Sequence, residues 1–263
     1  MVKVQKLVIT LILTAVWLTG HTQTIFTIDN AQPSSSKRLQ VVNHTYYRIG
    51  YSNDKKVSAW VAYILTKDMV ESKAVKRKQN FVKDKSVKHS AVSSDYSNSG
   101  YDRGHLCPAA DMAWSADAMN STFLMTNISP QKPAFNQKKW KMLEEKVRMW
   151  AKNNDSIMVI AGAILDTCNY GTIGKNDVLV PCRFYKIVID ISYPTYKAAA
   201  FIMDNTNEQK PLASYVVSIS DIEKATGLDF FPSLKADSTI REIEKDTMNV
   251  HQNELIFEDI TDK

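Results

Sequence analysis

Apolar residues are concentrated in runs of strand length, separated by polar segments that favour turns. The first two runs, Thr45–Tyr51 and Val57–Leu65, flank the polar segment Asn53–Lys56, which predicts a turn between two strands. Further runs of the same kind predict strands at Phe123–Ile128, Ile157–Leu165, Arg183–Ile191 and Lys197–Met203.

The hydrophobic period changes to that of a helix between about Pro133 and Lys152. Trp140, Leu143, Val147 and Trp150 recur at helical intervals with charged residues between them, and Pro133 suits a first helical turn. A second, short helix is predicted from the capping-box pattern Ser220–Glu223, with Gly227 as its end. The charged tail after Asp237 predicts a further helix.

This mixture of several strands with a few helices predicts one α+β domain. The chain has 263 residues, with neither an internal repeat nor a composition shift that would mark a second domain. Its net charge of +5 is a mild basic bias, which by itself says little about partners.

The first residues have the form of a secretory signal. Lys3 and Lys6 precede the mostly apolar run Leu7–Leu18, which is too short for a clear membrane span. We expect residues 1–24 to be a signal peptide cut between Gly20 and Ile25, and the protein to be periplasmic or secreted. The alternative is an uncleaved membrane anchor. Residues 25–40, rich in Ser and Pro, are expected to form a linker to a domain at residues 41–263.

Three cysteines follow the predicted signal, and export permits a disulfide. Cys168 and Cys182 lie fourteen positions apart on either side of a glycine-containing turn region, so they are the natural pair. Cys107 is then left over. The spacing fits no zinc site.

The stretch Tyr101–Asp111 holds the first candidate chemistry. His105 is the residue type that most often serves as a general base near neutral pH, although a lone histidine in a turn is more often structural. Arg103, two residues earlier, would point the same way on an extended chain and can clamp a phosphate. Gly104 would let a ligand come close to the backbone.

Two residues of the predicted long helix suggest a metal site. The amide oxygen of Asn136 is a hard ligand of the kind that Mg²⁺ accepts, and Glu144 follows eight residues later. In a regular α-helix the two would be about 80° apart and roughly 12 Å along the axis, so Glu144 would act through water. The alternatives are helix capping for Asn136 and an ordinary surface charge pair for Glu144, beside Lys141 and Arg148.

The segment from Lys73 to Lys88 carries seven basic residues and one acid. Such a run, which includes Lys78 as a candidate substrate-binding residue, would meet a phosphate backbone without reading bases. The competing interpretation is a solvated loop.

Taken together and in this order, these elements resemble the DNA/RNA non-specific endonucleases. The resemblance is carried by Asp102–His105, Phe123–Asn127, Pro130–Gln131, Asn136, Trp140 and Leu143–Glu144, and it spans roughly Thr45 to Leu234. These enzymes are ββα-metal, or His-Me finger, nucleases related to endonuclease G. The resemblance implies a central antiparallel sheet with flanking helices.

The resemblance also implies a role for each matching residue. His105 would take a proton from the attacking water, and Asn136 would be the sole protein ligand of one Mg²⁺, with Mn²⁺ as a substitute. Glu144 would orient the metal-bound waters, and Asn127 would support the site by hydrogen bonding. Arg103 would stabilise charge at the phosphate, and Arg77, which with Phe81 and Asp84 matches a family spacing, would contact it.

The implied activity is metal-dependent hydrolysis of DNA and RNA with little sequence specificity, leaving 5′-phosphate ends and falling at low pH as His105 is protonated. The alternatives are a catalytically silent nucleic-acid-binding module on the same fold and a phosphodiesterase for small nucleotides. The sequence indicates no stable protein partner and leaves the oligomeric state open.

Overall fold

A computed structural model describes residues 26–35, 38–72, 74–77, 80–165, 170–192 and 196–245. The predicted signal peptide lies outside these ranges. Within them, no helix has both the length and the apolar character that a membrane crossing requires.

A seven-stranded antiparallel sheet forms the centre of the protein. Its strands are β2 (Gln40–Asn43), β3 (Arg48–Ser52), β4 (Val57–Thr66), β7 (Ser156–Ala163), β10 (Arg183–Asp190), β11 (Lys197–Asp204) and β12 (Val216–Val217). Their spatial order is β12-β11-β10-β7-β4-β3-β2. The α+β class and the central antiparallel sheet are therefore confirmed. The five predicted strands that lie in this sheet are confirmed as well.

Both faces of the sheet are covered, which explains why its central strands are apolar runs without alternation. On β4, for example, Tyr63 packs into the core on one face and Ala62 into the core on the other. The first core contains Trp140, Leu143 and other residues of the long helix, and the second contains residues of two shorter helices.

Within the described ranges, three pairs of short strands lie outside this sheet. They are β1 (Ser34–Ser35) with β13 (Leu228–Asp229), β5 (Asp102–His105) with β6 (Ile128–Gln131), and β8 (Thr172–Ile173) with β9 (Val178–Leu179). The predicted strand Phe123–Ile128 is wrong for most of its length, because Met125–Asn127 form a 3-10 turn that only then enters β6. Asn127 is fully buried there and bonds the backbone with its side chain.

The α-helices are α1 (Lys67–Glu71), α2 (Ala116–Ser121), α3 (Lys141–Asn153), α4 (Ile219–Thr226) and α5 (Ser238–Lys245). The helix predicted from Pro133 is confirmed, but Phe135–Trp140 form a π-helical turn before α3 begins. The cap of α4 is Ser218 with Asp221, two residues before the predicted capping box. Gly227 ends α4 in the left-handed conformation, with φ of 69°, as predicted.

Residues 26–35 and 38–40, which the composition assigned to a linker, pack against the domain instead. The Phe26 ring is buried edge-on against Tyr196 and Phe231, with ring centroids 5.0 Å and 5.5 Å away. Ser34–Ser35 pair with β13. A few apolar anchors and one short strand pairing thus hold a segment whose Ser and Pro content is typical of linkers.

Candidate active site

The hairpin-like ribbon of β5 and β6 and the helix that follows it build the candidate site. His105 is the last residue of β5 and pairs with Ile128 of β6. Its carbonyl oxygen accepts a hydrogen bond of 3.2 Å from Trp140 Nε1, which fastens the helix to the ribbon. Two strands and one helix therefore fix the position of the His105 backbone.

The structure gives a different reason for the glycine at position 104 from the one expected. The residue is buried, and a β-carbon there would lie 2.2 Å from Oε1 of Gln131, a fully buried residue that pairs with Asp102 across the ribbon. The glycine is required by packing inside the ribbon, whereas the expectation was access for a ligand.

His105 lies against two aromatic rings, Phe81 at 5.7 Å and Phe123 at 5.0 Å between centroids. Only 7% of the residue is exposed, and its Nε2 has no hydrogen-bond partner among the described residues. Burial, with a smaller contribution from the Arg77 charge, lowers the pKa of His105 to about 3. The imidazole is therefore neutral at physiological pH.

Arg103 stands beside His105 on the same strand. Its guanidinium lies over the Phe81 ring at 5.5 Å and over the Tyr96 ring at 5.8 Å. Nη2 donates to the Ser93 carbonyl at 2.8 Å, so one side of the fork is anchored to protein. Arg77 approaches from the preceding loop, with its guanidinium 5.6 Å from the Phe123 ring.

Asn136 is oriented by a carboxylate. Its Nδ2 donates to Asp102 Oδ2 at 2.9 Å, and the neighbouring Gln137 donates to the same oxygen at 2.8 Å. A carboxylate can only accept hydrogen bonds, so the amide nitrogen must be the atom that faces Asp102. The Asn136 Oδ1 is then left without a partner among the described residues and is free to bind a ligand.

Glu144 lines the same cleft from α3 and is only partly exposed. Burial raises the pKa of Glu144 to about 7, although the nearby cation Lys186 opposes the shift. The pairing of Glu144 with Arg148 that a surface helix would favour is absent among the described ion pairs. Arg148 Nη1 instead contacts Asp111 Oδ1 at 2.8 Å.

The π-helical turn explains how Asn136 and Glu144 come to share one cleft. Its wider i→i+5 hydrogen bonding advances fewer degrees per residue than an α-helix does. The offset of about 80° that a regular α-helix would give is therefore reduced. Asn136 lies in the first turn of this π segment, and Glu144 follows in α3.

One cavity of about 470 Å³, the catalytic cleft, brings five predicted site residues together: Arg77, Arg103, His105, Asn136 and Glu144. Among the described residues, no group of three or more His, Cys, Asp and Glu side chains could hold a metal. A metal here would depend on the amide oxygen of Asn136.

Three further residues of the catalytic cleft were missed as candidates: Gln137, Lys141 and Arg148. Arg148 was considered only as a surface partner of Glu144. It is held by Asp111, which is fully buried and also accepts a 2.7 Å hydrogen bond from Tyr63. The sequence signal that could have identified Lys141 and Arg148 was their helical spacing, because Lys141, Glu144 and Arg148 recur on one face of α3.

Asn127 lies behind the catalytic cleft, where its side chain bonds both the backbone N–H and the carbonyl of Cys107 at 2.9 Å. It fixes the chain immediately after His105. Cys107 itself is a free, buried thiol packed in the core, which explains its presence in the motif. Cys182 is disulfide-bonded, but Cys168 and the basic residue Lys78 lie outside the described residues, so both of those assignments remain predictions.

Comparison with known proteins shows what this architecture is similar to. The sequence model of the DNA/RNA non-specific endonuclease family matches residues 25–237. The chain is 32% identical over 211 residues to "Endonuclease G, mitochondrial" of Homo sapiens, covering 75% of this chain and 71% of that protein. It is 33% identical over 205 residues to "Nuclease C1" of Cunninghamella echinulata var. echinulata, covering 72% and 81%.

A solved structure described as "Crystal structure of the EndoG/EndoGI complex: Mechanism of EndoG inhibition" superposes with a TM-score of 0.67. It shares 28% identity, and the match covers 74% of this chain and 86% of that one. The central sheet, the β5–β6 ribbon with its helix and the sequence match all point to the same family. The chain belongs to the DNA/RNA non-specific endonuclease family.

Proposed function

We propose that this protein is a metal-dependent endonuclease that hydrolyses phosphodiester bonds of DNA and RNA with little sequence specificity. One observation carries the proposal: His105, Asn136, Glu144 and two arginines converge on the catalytic cleft from separate parts of the chain. Attack of water on a phosphate diester needs a neutral base, an oxygen ligand for a metal ion and cations that bind the phosphate. His105, Asn136 Oδ1 and the two arginines are such groups.

The donors in the catalytic cleft fit a hard divalent cation. Asn136 would hold the ion through Oδ1, and Glu144, once ionised, would accept hydrogen bonds from its waters. Oxygen donors with room for waters favour Mg²⁺, and Mn²⁺ accepts the same set. When bound, the ion supplies Lewis-acid stabilisation of charge on the phosphate and the leaving 3′ oxygen.

His105 takes the proton of the attacking water in this scheme. Its environment keeps the imidazole neutral and therefore ready to accept a proton. An anionic phosphate in the catalytic cleft would oppose the effect of burial and of the Arg77 charge, and would raise the proton affinity of His105 when substrate is bound.

Arg77 and Arg103 would bind the phosphate oxygens. Their guanidinium groups are positioned by aromatic rings, and an arginine held in this way forms bidentate contacts with little further loss of freedom. Contacts with phosphate carry no base information, which accounts for low sequence specificity. The described lysines of the basic loop, such as Lys83 and Lys85, are exposed, in keeping with a role at the phosphate backbone.

The direct test is incubation of the purified protein with plasmid DNA and with structured RNA, with Mg²⁺ and with EDTA. We expect Mg²⁺-dependent cleavage of both, with 5′-phosphate ends that accept label from a kinase only after phosphatase treatment. Binding without cleavage would favour the silent module. Activity confined to small diesters would favour the nucleotide phosphodiesterase.

The assignment of the base is tested by His105→Ala. Loss of a general base typically lowers the rate by about 10²–10⁴-fold. The matched control is His89→Ala, because His89 is exposed and lines a separate cavity. We expect the first variant to be inactive with an unchanged circular dichroism spectrum and the second to be active. Near-normal turnover by His105→Ala would refute the assignment.

We propose, further, that the protein is exported to the periplasm or beyond. The basic and apolar first residues support this, as does the disulfide at Cys182, since disulfides persist in oxidising compartments. Expression of the full chain followed by fractionation and N-terminal sequencing should give a mature end between Gly20 and Ile25. An intact N-terminus in the membrane fraction would indicate the anchor instead.

A further inference from the structure

A second cavity adjoins the catalytic cleft and has no role in the scheme above. Its volume is about 560 Å³, and it shares Arg77, Ala109, Ala110 and Arg148 with the catalytic cleft. The two spaces therefore meet at the two arginines, Arg77 and Arg148.

The walls of this second cavity are apolar. Val70 of α1, Val75 of the loop after α1, Met119 of α2 and Met149 of α3 surround it, and Ala113 faces it with a small side chain. The three alanines at positions 109, 110 and 113 leave the space open where longer side chains would fill it. Among the described lining residues, the charged ones are the border arginines, Glu145 and Lys152.

We propose that this cavity is a nucleobase subsite, which takes up one unpaired base flanking the scissile phosphate. The inference rests on the proposed function, because the phosphate must lie in the catalytic cleft beside Arg77 and Arg148. In a nucleic acid the group attached next to a phosphate is a nucleoside, whose flat base has apolar faces. Methionine and valine side chains pack well against such a face.

The charges at its edge agree with this occupant. Lys152, one turn beyond Arg148 on α3, is placed for the next phosphate of the strand. Glu145 does not oppose that contact strongly, because its carboxylate lies 3.8 Å from the ammonium group of Lys141. An apolar ligand unrelated to the substrate would have no use for cations at both ends.

A consequence follows for the form of the substrate. A base inside this cavity cannot be paired, so a duplex must release it at a cost of a few kcal/mol. The subsite therefore favours single-stranded or locally opened nucleic acid over intact duplex.

The experiment uses single-stranded oligonucleotides that carry one tetrahydrofuran abasic residue, moved along the sequence. Stacking of a base on a protein surface corresponds to a rate effect of roughly tenfold. We expect cleavage at one phosphate flanking the abasic residue to fall by about that factor, relative to the same phosphate in the unmodified strand. Equal cleavage at all positions would overturn the subsite.

A filled cavity gives the second arm. Ala113→Phe should slow cleavage of the normal strand by about tenfold while leaving cleavage beside the abasic residue unchanged. Ala236→Phe, at an exposed position before α5, is the matched control and should change neither rate. Equal rates for Ala113→Phe and the wild type on the normal strand would contradict the proposal.

The third arm needs neither a variant nor turnover. Calorimetry on the wild-type protein should show thymidine 5′-monophosphate binding at least about tenfold more tightly than deoxyribose 5-phosphate. Equal affinities would overturn the subsite. A protein that cleaves no nucleic acid but shows this preference would refute the proposed nuclease activity and leave the base subsite standing.

Discussion

At the scale of single residues, the neighbours of a side chain decide its role. His105 is a common residue type, yet burial against two aromatic rings, with no partner for Nε2 in the described part of the chain, makes it a neutral imidazole. Asp84 shows the opposite case, a buried carboxylate kept ionised. It accepts hydrogen bonds from Thr126 Oγ1 at 2.6 Å and from the Ser86 N–H at 2.8 Å, and His44 Nε2 lies 3.1 Å away.

Asp84 gives a pH-dependent prediction of stability. Burial by itself would raise its pKa, but the contacts with His44, Thr126 and Ser86 outweigh burial and lower the pKa of Asp84 to about 2. A carboxyl whose pKa is lower in the folded state stabilises the fold above its unfolded pKa and loses that effect as the pH falls. The window for the loss is between about pH 4 and pH 2.

We expect Asp84→Asn to lower the free energy of unfolding at pH 7 by on the order of 2 kcal/mol. The deficit relative to wild type should shrink as the pH falls from 4 to 2. Urea denaturation at several pH values measures this, with Asp54→Asn at an exposed turn position as the control. A deficit that stays constant across that range would show that the ionised carboxylate is not the cause.

At the scale of elements, the helix after the ribbon carries the part of the site that the sequence described least well. The apolar spacing predicted a helix over this stretch, and a helix is present. The π turn at Phe135–Trp140 was not predicted, because a single extra residue in a helical turn leaves the apolar pattern nearly unchanged. The wider turn absorbs that residue and so keeps Asn136 and Glu144 in the same cleft.

Insertion of one alanine between Lys141 and Met142 tests whether the angle that the π turn sets between Asn136 and Glu144 matters. The added residue should rotate Asn136 by about 100° relative to Glu144, because each residue of an α-helix turns by that angle. We expect Mg²⁺-dependent cleavage to fall by at least about 10²-fold, as for loss of a positioned catalytic group. Lys138→Ala, which keeps the turn, is the control.

Steady-state cleavage and thermal melting should be measured on both variants. An insertion variant that melts like the wild type and cleaves at its rate would show that the angle between Asn136 and Glu144 is not what positions Asn136.

At the scale of the whole molecule, the placement of charge matters more than its sum. The formal charge of +5 is modest, but Arg77, Arg103, Lys141 and Arg148 all line the catalytic cleft. Cations that neutralise phosphates release counterions, so binding weakens with salt in proportion to the number of contacts. A phosphate-binding cleft therefore predicts a steep salt dependence for this moderately basic protein.

Lys141→Ala should weaken the salt dependence, making the slope of log affinity against log salt less steep by about one unit. The matched control is Lys224→Ala on α4, which packs against the opposite face of the sheet. Each lysine is exposed and has an acidic partner on its own helix. Affinity for a labelled oligonucleotide, measured in EDTA at several salt concentrations, gives the slopes. Equal slopes for the two variants would place the substrate elsewhere.

The sequence by itself determined five of the seven strands of the sheet, the long helix and the short list of reactive residues. Because β4 and β10 are buried on both faces, their sequences are continuous apolar runs. Because α3 is buried on one face, its sequence has an amphipathic period. Such patterns are local, because the polarity of each residue reflects only whether that position is buried or exposed. The order and spacing of the separated motifs between Asp102 and Glu144, taken as a set, also sufficed to suggest the family.

The tertiary structure alone decided which neighbours surround those residues. The close approach of the Gln131 side chain to Gly104, the anchoring of Arg148 by Asp111 and the inward packing of Phe26 all join positions that are far apart in the chain. The apolar cavity beside the catalytic cleft is likewise bounded by four separate segments. Contacts of this kind leave no periodic trace in the sequence, because they depend on how packed elements meet in space.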